Sequence, residues 1–157
     1  MKKIISIFSI LLLGLNINAQ ENSEELYMNA YIVVSDTSQN YFELREKMFD
    51  LNQKLKAEID TIGREFDKTK NLICLPENDE DEIYAGDYFP RRFPSETLSL
   101  EYLSYYLNGK KPTEGTIALV VIITDNQEKA KKKLAEVKEY SNRAFIVNST
   151  IYMGCMH

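Results

Sequence analysis

Two apolar runs with the composition of buried strands stand in the two halves of this chain. The first, AYIVVSD, covers residues 30–36, and the second, LVVIITD, covers residues 119–125. Both are rich in β-branched residues, and both end in a hydroxyl residue followed by an aspartate. Apolar runs of this length, bounded by polar residues, are typical of strands covered on both faces. The pattern therefore predicts two buried strands.

An amphipathic helix is predicted directly after the first strand. Asn40 and Glu43 have the spacing of a capping box, in which each side chain bonds to the backbone of the other residue. Apolar residues then recur at steps of three and four, which is the period of a helix with one buried face. The helix is predicted over residues 41–62, with Gly63 ending it in a left-handed conformation.

The second strand is followed by the same arrangement. Asp125 and Glu128 repeat the capping spacing, and a narrower apolar stripe predicts a helix over residues 126–139. Each predicted helix leads into a further apolar run, NLICL at 71–75 and RAFIV at 143–147. The chain is therefore predicted to contain two strand-helix-strand halves.

Two such halves in one sheet predict a ferredoxin-like α+β sandwich with a mainly antiparallel sheet and both helices on one face. The segment between the halves, residues 77–115, is predicted as an insertion. Its sequence SETLSLEYLSYYL predicts a third helix over residues 96–107, capped by Ser95 and placed to cover the second face of the sheet.

The two halves resemble the SPOR domain of bacterial envelope proteins, through the opening YIVV and the closing AFIV. That family is ferredoxin-like and binds peptidoglycan glycan strands stripped of their peptides. The resemblance does not cover residues 77–115, and this chain has Ser35-Asp36-Thr37 where the family usually has a glycine-serine-phenylalanine turn. It implies a peptidoglycan-binding module, but it carries over no individual binding residue.

The opening MKKIISIFSILLLGLNINAQ has the three-part pattern of a secretory signal peptide, predicted over residues 1–19. Its apolar run is about a dozen residues long, and a bilayer core requires about 20. We therefore expect no transmembrane anchor. The remaining residues, 20–157, are enough for a single α+β domain, which is expected in the periplasm or outside the cell.

Charge narrows the choice of partners. The formal net charge is −5, and removal of Lys2 and Lys3 with the leader makes it more negative by two. Binding to nucleic acid requires a positive field along the phosphates, so nucleic acid is not an expected partner. The expected partner is a peptidoglycan glycan or another envelope protein.

The segment YAGDYFPRRFP, residues 84–94, combines aromatic rings with two arginines. Tyr84, Tyr88, Arg91 and Arg92 are the predicted ligand-binding residues, because rings stack on sugars and guanidinium groups grip carboxylates. In the structural alternative, the aromatic side chains cover the open face of the sheet and the arginines neutralise the preceding acidic run PENDEDE. That acidic run is interpreted as a solvated loop or, alternatively, a weak calcium site.

The sequence offers little evidence for a catalytic site. His157 is the only histidine, and the sequence contains no nucleophile elbow, phosphate loop or HExxH motif. The chain is therefore predicted to be a binding module that is not an enzyme and carries no cofactor. A small hydrolase is the third functional interpretation, behind a metal-handling protein.

The metal-handling alternative depends on the chain end, IYMGCMH. Cys155, Met156 and His157 are ligand types that soft copper accepts. Against this, an oxidising compartment favours a disulfide between Cys74 and Cys155, which both follow β-rich runs, and two buried free thiols are a further alternative. The disulfide is the sequence-based prediction.

Overall fold

The computed structural model describes residues 26–108 and 115–155. Within these two stretches the chain forms six strands and three helices. In chain order they are β1 (Tyr27–Ser38), α1 (Tyr41–Leu55), β2 (Glu65–Asp67), β3 (Leu72–Cys74), β4 (Ser99–Tyr102), α2 (Leu103–Asn108), β5 (Ile117–Thr124), α3 (Gln127–Lys138) and β6 (Phe145–Tyr152).

The main sheet has four strands in the order β4-β5-β1-β6, and every neighbouring pair is antiparallel. The predicted α+β class and antiparallel sheet are confirmed. The strand order, with one long helix after β1 and another after β5, is compatible with a ferredoxin-like arrangement.

Helices α1 and α3 share one face of this sheet. Their inward side chains join a single apolar cluster with strand residues, because the helical period places them along one stripe. The cluster includes Leu44, Met48, Leu51, Ala130, Val137, Val33, Leu119 and Val121.

The second face carries its own apolar cluster under the short helix α2. Tyr106 of α2 is 2% exposed, and it packs in a cluster with alternate residues of β1, β5 and β6. Those strand residues include Ile32, Val34, Ala118, Val120, Val147 and Ile151. Alternation along the strands thus fills both faces, so β5 is buried along its whole length and β1 along its central part.

The first helix begins as predicted but ends earlier. The side chain of Asn40 accepts hydrogen bonds from the N–H groups of Phe42 and Glu43, at 3.0 and 3.2 Å, which is an N-cap. The predicted end at residue 62 is wrong. The helix ends at Leu55, and Lys56 adopts a left-handed conformation with φ of 51°.

Replacing Lys56 by Gly is expected to raise the free energy of unfolding by about 1 kcal/mol, because a side chain is unfavourable in the left-handed region and glycine is not. The matched variant Gln53→Gly, at an exposed position inside α1, is expected to lower it by about 1 kcal/mol. Urea unfolding checks both. A lower urea midpoint for Lys56→Gly would contradict the expectation.

The sequence predicts that the run at 71–75 joins the main sheet, and this prediction is wrong. Its residues Leu72–Cys74 form β3, which pairs only with β2 in a small separate hairpin. The Asp67 side chain accepts hydrogen bonds from the N–H groups of Thr69 and Lys70 and so shapes the turn between the two strands.

The predicted helix at 96–107 is wrong in its first half. Residues Ser99–Tyr102 form β4, the edge strand of the main sheet, and only Leu103–Asn108 are helical. Ser95 caps no helix, since its backbone exchanges two hydrogen bonds of 3.0 Å with Ile123 of β5. The segment 77–115, predicted as an insertion, thus supplies one strand of the main sheet.

Candidate functional site

The structure places the aromatic and arginine segment 84–94 against the protein interior. Tyr88, Arg91 and Arg92 are 5%, 3% and 7% exposed, and Tyr84 is half-buried with its ring packed on Phe89. Three of the four predicted ligand-binding side chains are therefore not at the surface. Their hydrogen bonds show what they contact instead.

A buried carboxylate lies at the centre of this region. Glu101 of β4 receives two hydrogen bonds from Arg64, at 2.7 and 2.5 Å, and the two side chains are 0% and 1% exposed. The Tyr88 hydroxyl donates a third hydrogen bond to Glu101, at 2.7 Å. A guanidinium that binds both carboxylate oxygens has the strongest geometry for a buried ion pair.

This arrangement fixes the charge of Glu101. Burial by itself would raise the pKa of its carboxyl, but the adjacent Arg64 charge and its hydrogen bonds outweigh burial and hold the pKa below its ordinary value. Burial raises the pKa of the neighbouring Tyr88 hydroxyl well above its ordinary value. The pair is thus ionised, and Tyr88 is a neutral donor, at physiological pH.

The two arginines of the segment 84–94 donate hydrogen bonds to different strands of the main sheet, mostly to backbone carbonyls. Arg91 donates to the carbonyls of Thr97 and Ser95 and to the Ser99 hydroxyl, at 2.7 to 3.1 Å. Arg92 donates to two carbonyl oxygens at the end of β6, those of Tyr152 and Gly154, at 3.2 and 2.5 Å. These bonds join the segment to β4 and β6. The burial of the segment agrees with the structural alternative, but these arginine partners are neutral groups and not the acidic run PENDEDE.

The two cysteines are not joined in the structure. Cys74 is buried in β3, Cys155 is exposed beyond β6, and both are free thiols. Burial raises the pKa of the Cys74 thiol, which lowers its reactivity. Met156 and His157, the remaining members of the alternative copper site, lie outside the described residues. Among the residues that the structure does describe, no group of three His, Cys, Asp or Glu side chains is placed to hold a metal ion.

A polar groove of about 350 Å³ lies across β1 and β6 next to the first residue of α3. Ala30 packs in the cluster under α2, so alternation along β1 places Asn29 and Tyr31 on the sheet face that α1 and α3 share. Two cross-strand pairs contribute to it, Asn29 opposite Thr150 and Tyr31 opposite Asn148. The residues that line this groove are Asn29, Ala30, Tyr31, Gln127, Asn148, Ser149 and Thr150.

No charged residue lines the polar groove, in a chain where 27% of residues are charged. Asn29, Gln127, Asn148 and Thr150 are exposed, and Tyr31 is half-buried. Amide and hydroxyl side chains both donate and accept hydrogen bonds, so together they suit a ligand with many hydroxyl or amide groups. The Tyr31 ring adds an apolar surface beside them.

Sequence reasoning missed this groove. The relevant signal is the period-two pattern of FIVNSTIY at 145–152, in which Asn148 and Thr150 are polar residues on one face of a strand. Asn29 and Gln127 are far from this strand in sequence. Only the pairing of β1 with β6 and the position of α3 bring them together.

Comparison of the chain with protein-family models, with curated proteins and with solved structures gave no match in any of the three. Over residues 26–108 and 115–155, every helix is too short or too polar to cross a bilayer.

Proposed function

We propose that this protein is a non-catalytic, exported binding module of the cell envelope, and that its ligand is the glycan of peptidoglycan. The single observation that carries the proposal is the uncharged lining of the polar groove. A glycan of N-acetylated sugars presents hydroxyl and acetamido groups, which are matched by the amides and hydroxyls of Asn29, Gln127, Asn148 and Thr150. The predicted signal peptide and the SPOR resemblance support the same proposal.

The groove suits a polymer better than a small enclosed molecule. It is an open depression along two strands, and exposed side chains line it on both sides. An open site along strands can accommodate successive units of an extended chain, whereas small ligands are usually enclosed in deep apolar pockets. The ligand is therefore proposed to lie along the groove with its ends in solvent.

Co-sedimentation with purified peptidoglycan tests the proposal. We expect the protein without its leader to pellet with glycan strands denuded by an amidase, and to pellet less with intact material, because peptide stems crowd the sugars. No pelleting with either material would contradict glycan binding and would leave a protein partner in the envelope as the remaining interpretation.

Removing two groove side chains is expected to weaken binding to denuded glycan. Asn148→Ala combined with Thr150→Ala removes two sets of hydrogen bonds, each contributing about 0.5–1.5 kcal/mol, so the apparent Kd should rise about tenfold. Gln53→Ala, an exposed amide on α1, is the matched control and should bind as the unchanged protein does. Equal loss in both variants would show that the groove is not the binding site.

A further inference from the structure

Strand β6 is a free edge of the main sheet. In the described residues it pairs only with β1. The N–H of Met153 donates to the Leu26 carbonyl at 2.7 Å. This bond shows which residues of β6 direct their backbone groups toward β1. Residues of one strand direct their backbone groups alternately to either side. The N–H and C=O groups of Ile146, Asn148 and Thr150 therefore point away from β1.

The other edge of the sheet is covered. Leu98, which immediately precedes β4, donates its N–H to the Glu58 carbonyl at 2.7 Å and accepts from Asp60 N–H at 3.0 Å. Edge strands in proteins are commonly protected in this way, or by charged side chains, proline or bulges. The β6 sequence FIVNSTIY contains no charged residue, proline or glycine. This edge therefore lacks the usual protection against pairing.

Arg92 limits the length of the free edge. Its guanidinium donates to the carbonyls of Tyr152 and Gly154, which belong to the outward-pointing series. These two carbonyls are thus bound within the chain. The segment left for pairing runs from Ile146 to Thr150, and Asn148 is its centre.

We propose that β6 pairs antiparallel with β6 of a second copy of this chain, about a two-fold axis at Asn148. In this register Ile146 lies opposite Thr150 of the second copy, and Asn148 lies opposite Asn148 of the second copy. The outward N–H and C=O groups of these three residues then form hydrogen bonds with the same groups of the second copy. An isologous interface uses the same surface on both copies in this way. Two four-stranded sheets become one continuous sheet of eight strands.

Charge favours a second copy over an unrelated charged peptide. Each chain is acidic, with a formal net charge of −5, so copies repel one another unless the contact surface itself is neutral. The strand is neutral, so the ladder places no like charges together. This strand carries no charge that could bind a charged peptide selectively. An uncharged strand is the matching partner, and β6 is itself such a strand.

Pairing about this axis would also extend the polar groove, an inference that rests on the proposed function. A two-fold axis perpendicular to the sheet keeps the same face of both copies on the same side. Asn148 of one copy then lies opposite Asn148 of the other at the axis, and each Thr150 lies opposite Ile146 of the other copy. The two grooves would join into one longer groove, which suits a polymeric glycan and raises its affinity through two linked sites.

Analytical ultracentrifugation of the protein without its leader, over a wide range of concentration and with no glycan present, tests the dimer. We expect a reversible monomer–dimer equilibrium. Asn148→Lys places two like charges at the axis and should raise the dimer Kd at least about tenfold. Gln53→Lys makes the same change of charge on exposed α1 and should leave the dimer Kd unchanged.

Hydrogen exchange on the unsubstituted protein provides a test that needs no variant. The amides of Ile146, Asn148 and Thr150 should exchange rapidly at low concentration and slowly at high concentration. Those of Val147 and Ser149 face β1 and should be protected throughout. A protein that stays monomeric overturns the proposal, and so does a dimer that leaves the three outward amides unprotected. Because glycan is absent, neither outcome bears on the groove, and a failure of glycan pelleting does not bear on the dimer.

Discussion

Replacing Glu101 by Gln is expected to lower the free energy of unfolding by about 3–5 kcal/mol at neutral pH. The substitution keeps the shape of the side chain but removes its charge, and it leaves the Arg64 guanidinium buried without a counter-ion. Breaking a buried pair by removing one partner is costly, because the remaining charge has no water around it. Chemical unfolding followed by circular dichroism measures the loss.

The Arg64–Glu101 ion pair also predicts how the free energy of unfolding depends on pH. The pKa of Glu101 is lower in the folded state than its ordinary value of about 4.3 in an unfolded chain. The unfolded chain therefore takes up the proton first, and the contribution of the ion pair is complete above about pH 4.3. It is lost as the pH falls further, through the folded pKa. The difference in stability between the unchanged protein and Glu101→Gln should thus be constant above about pH 4.3 and shrink below it.

Two further variants distinguish the effect of breaking the buried ion pair from the effect of removing any single charge. Arg64→Met combined with Glu101→Leu removes both charges and should recover most of the stability that Glu101→Gln loses, since neither member of the pair remains as a buried charge without the other. Asp50→Asn removes an exposed partner of Lys54 and should change stability little. If Glu101→Gln were as stable as Asp50→Asn, the pair would not support the fold.

Replacing Tyr106 by Ala is expected to lower the free energy of unfolding by about 3–5 kcal/mol, the range found for large aromatic residues removed from a core. The Tyr106 ring is 2% exposed and covers the second face of the sheet, and its hydroxyl donates to the Arg91 carbonyl at 2.7 Å. Helix α2 has only six residues, so its packing and not its helical propensity holds it in place. Thermal or urea unfolding measures the effect.

Neighbouring substitutions identify the cause of that loss. Tyr106→Phe keeps the ring and should cost only about 1 kcal/mol, from the lost hydrogen bond to Arg91. Leu107, the next residue, is 64% exposed, so Leu107→Ala should change stability by less than about 0.5 kcal/mol. Equal losses for Tyr106→Ala and Leu107→Ala would indicate that α2 does not cover this face as described.

The stabilising network and the proposed binding groove use different residues. Glu101, Arg64 and Tyr106 hold β4, α2 and the segment 84–94 together, whereas the groove lies on the opposite face of the sheet along β1 and β6. Variants in the network are therefore expected to change stability, and variants of groove side chains such as Asn148 to change binding. This separation makes the experiments on the two features independent.

The sequence by itself determined the elements whose signals are local. The apolar runs of β1 and β5 and the Asn40 cap of α1 depend on neighbouring residues in the chain. The helical period continued toward residue 62, yet α1 ended at Leu55. Residues 58–60 instead pair with Leu98. This contact joins distant parts of the chain, so the local helical period cannot predict it.

Tertiary structure alone decided the nature of β4 and the location of the groove. The sequence around Leu98 and Tyr102 fits a helix by spacing, and it also alternates as a strand does. The strand forms because Glu101 meets Arg64, 37 residues earlier, while Leu100 and Tyr102 on the opposite side enter the core. The polar groove similarly requires residues of β1, α3 and β6 to meet. Such juxtapositions arise from packing between distant segments, so a linear pattern of polar and apolar residues does not contain them.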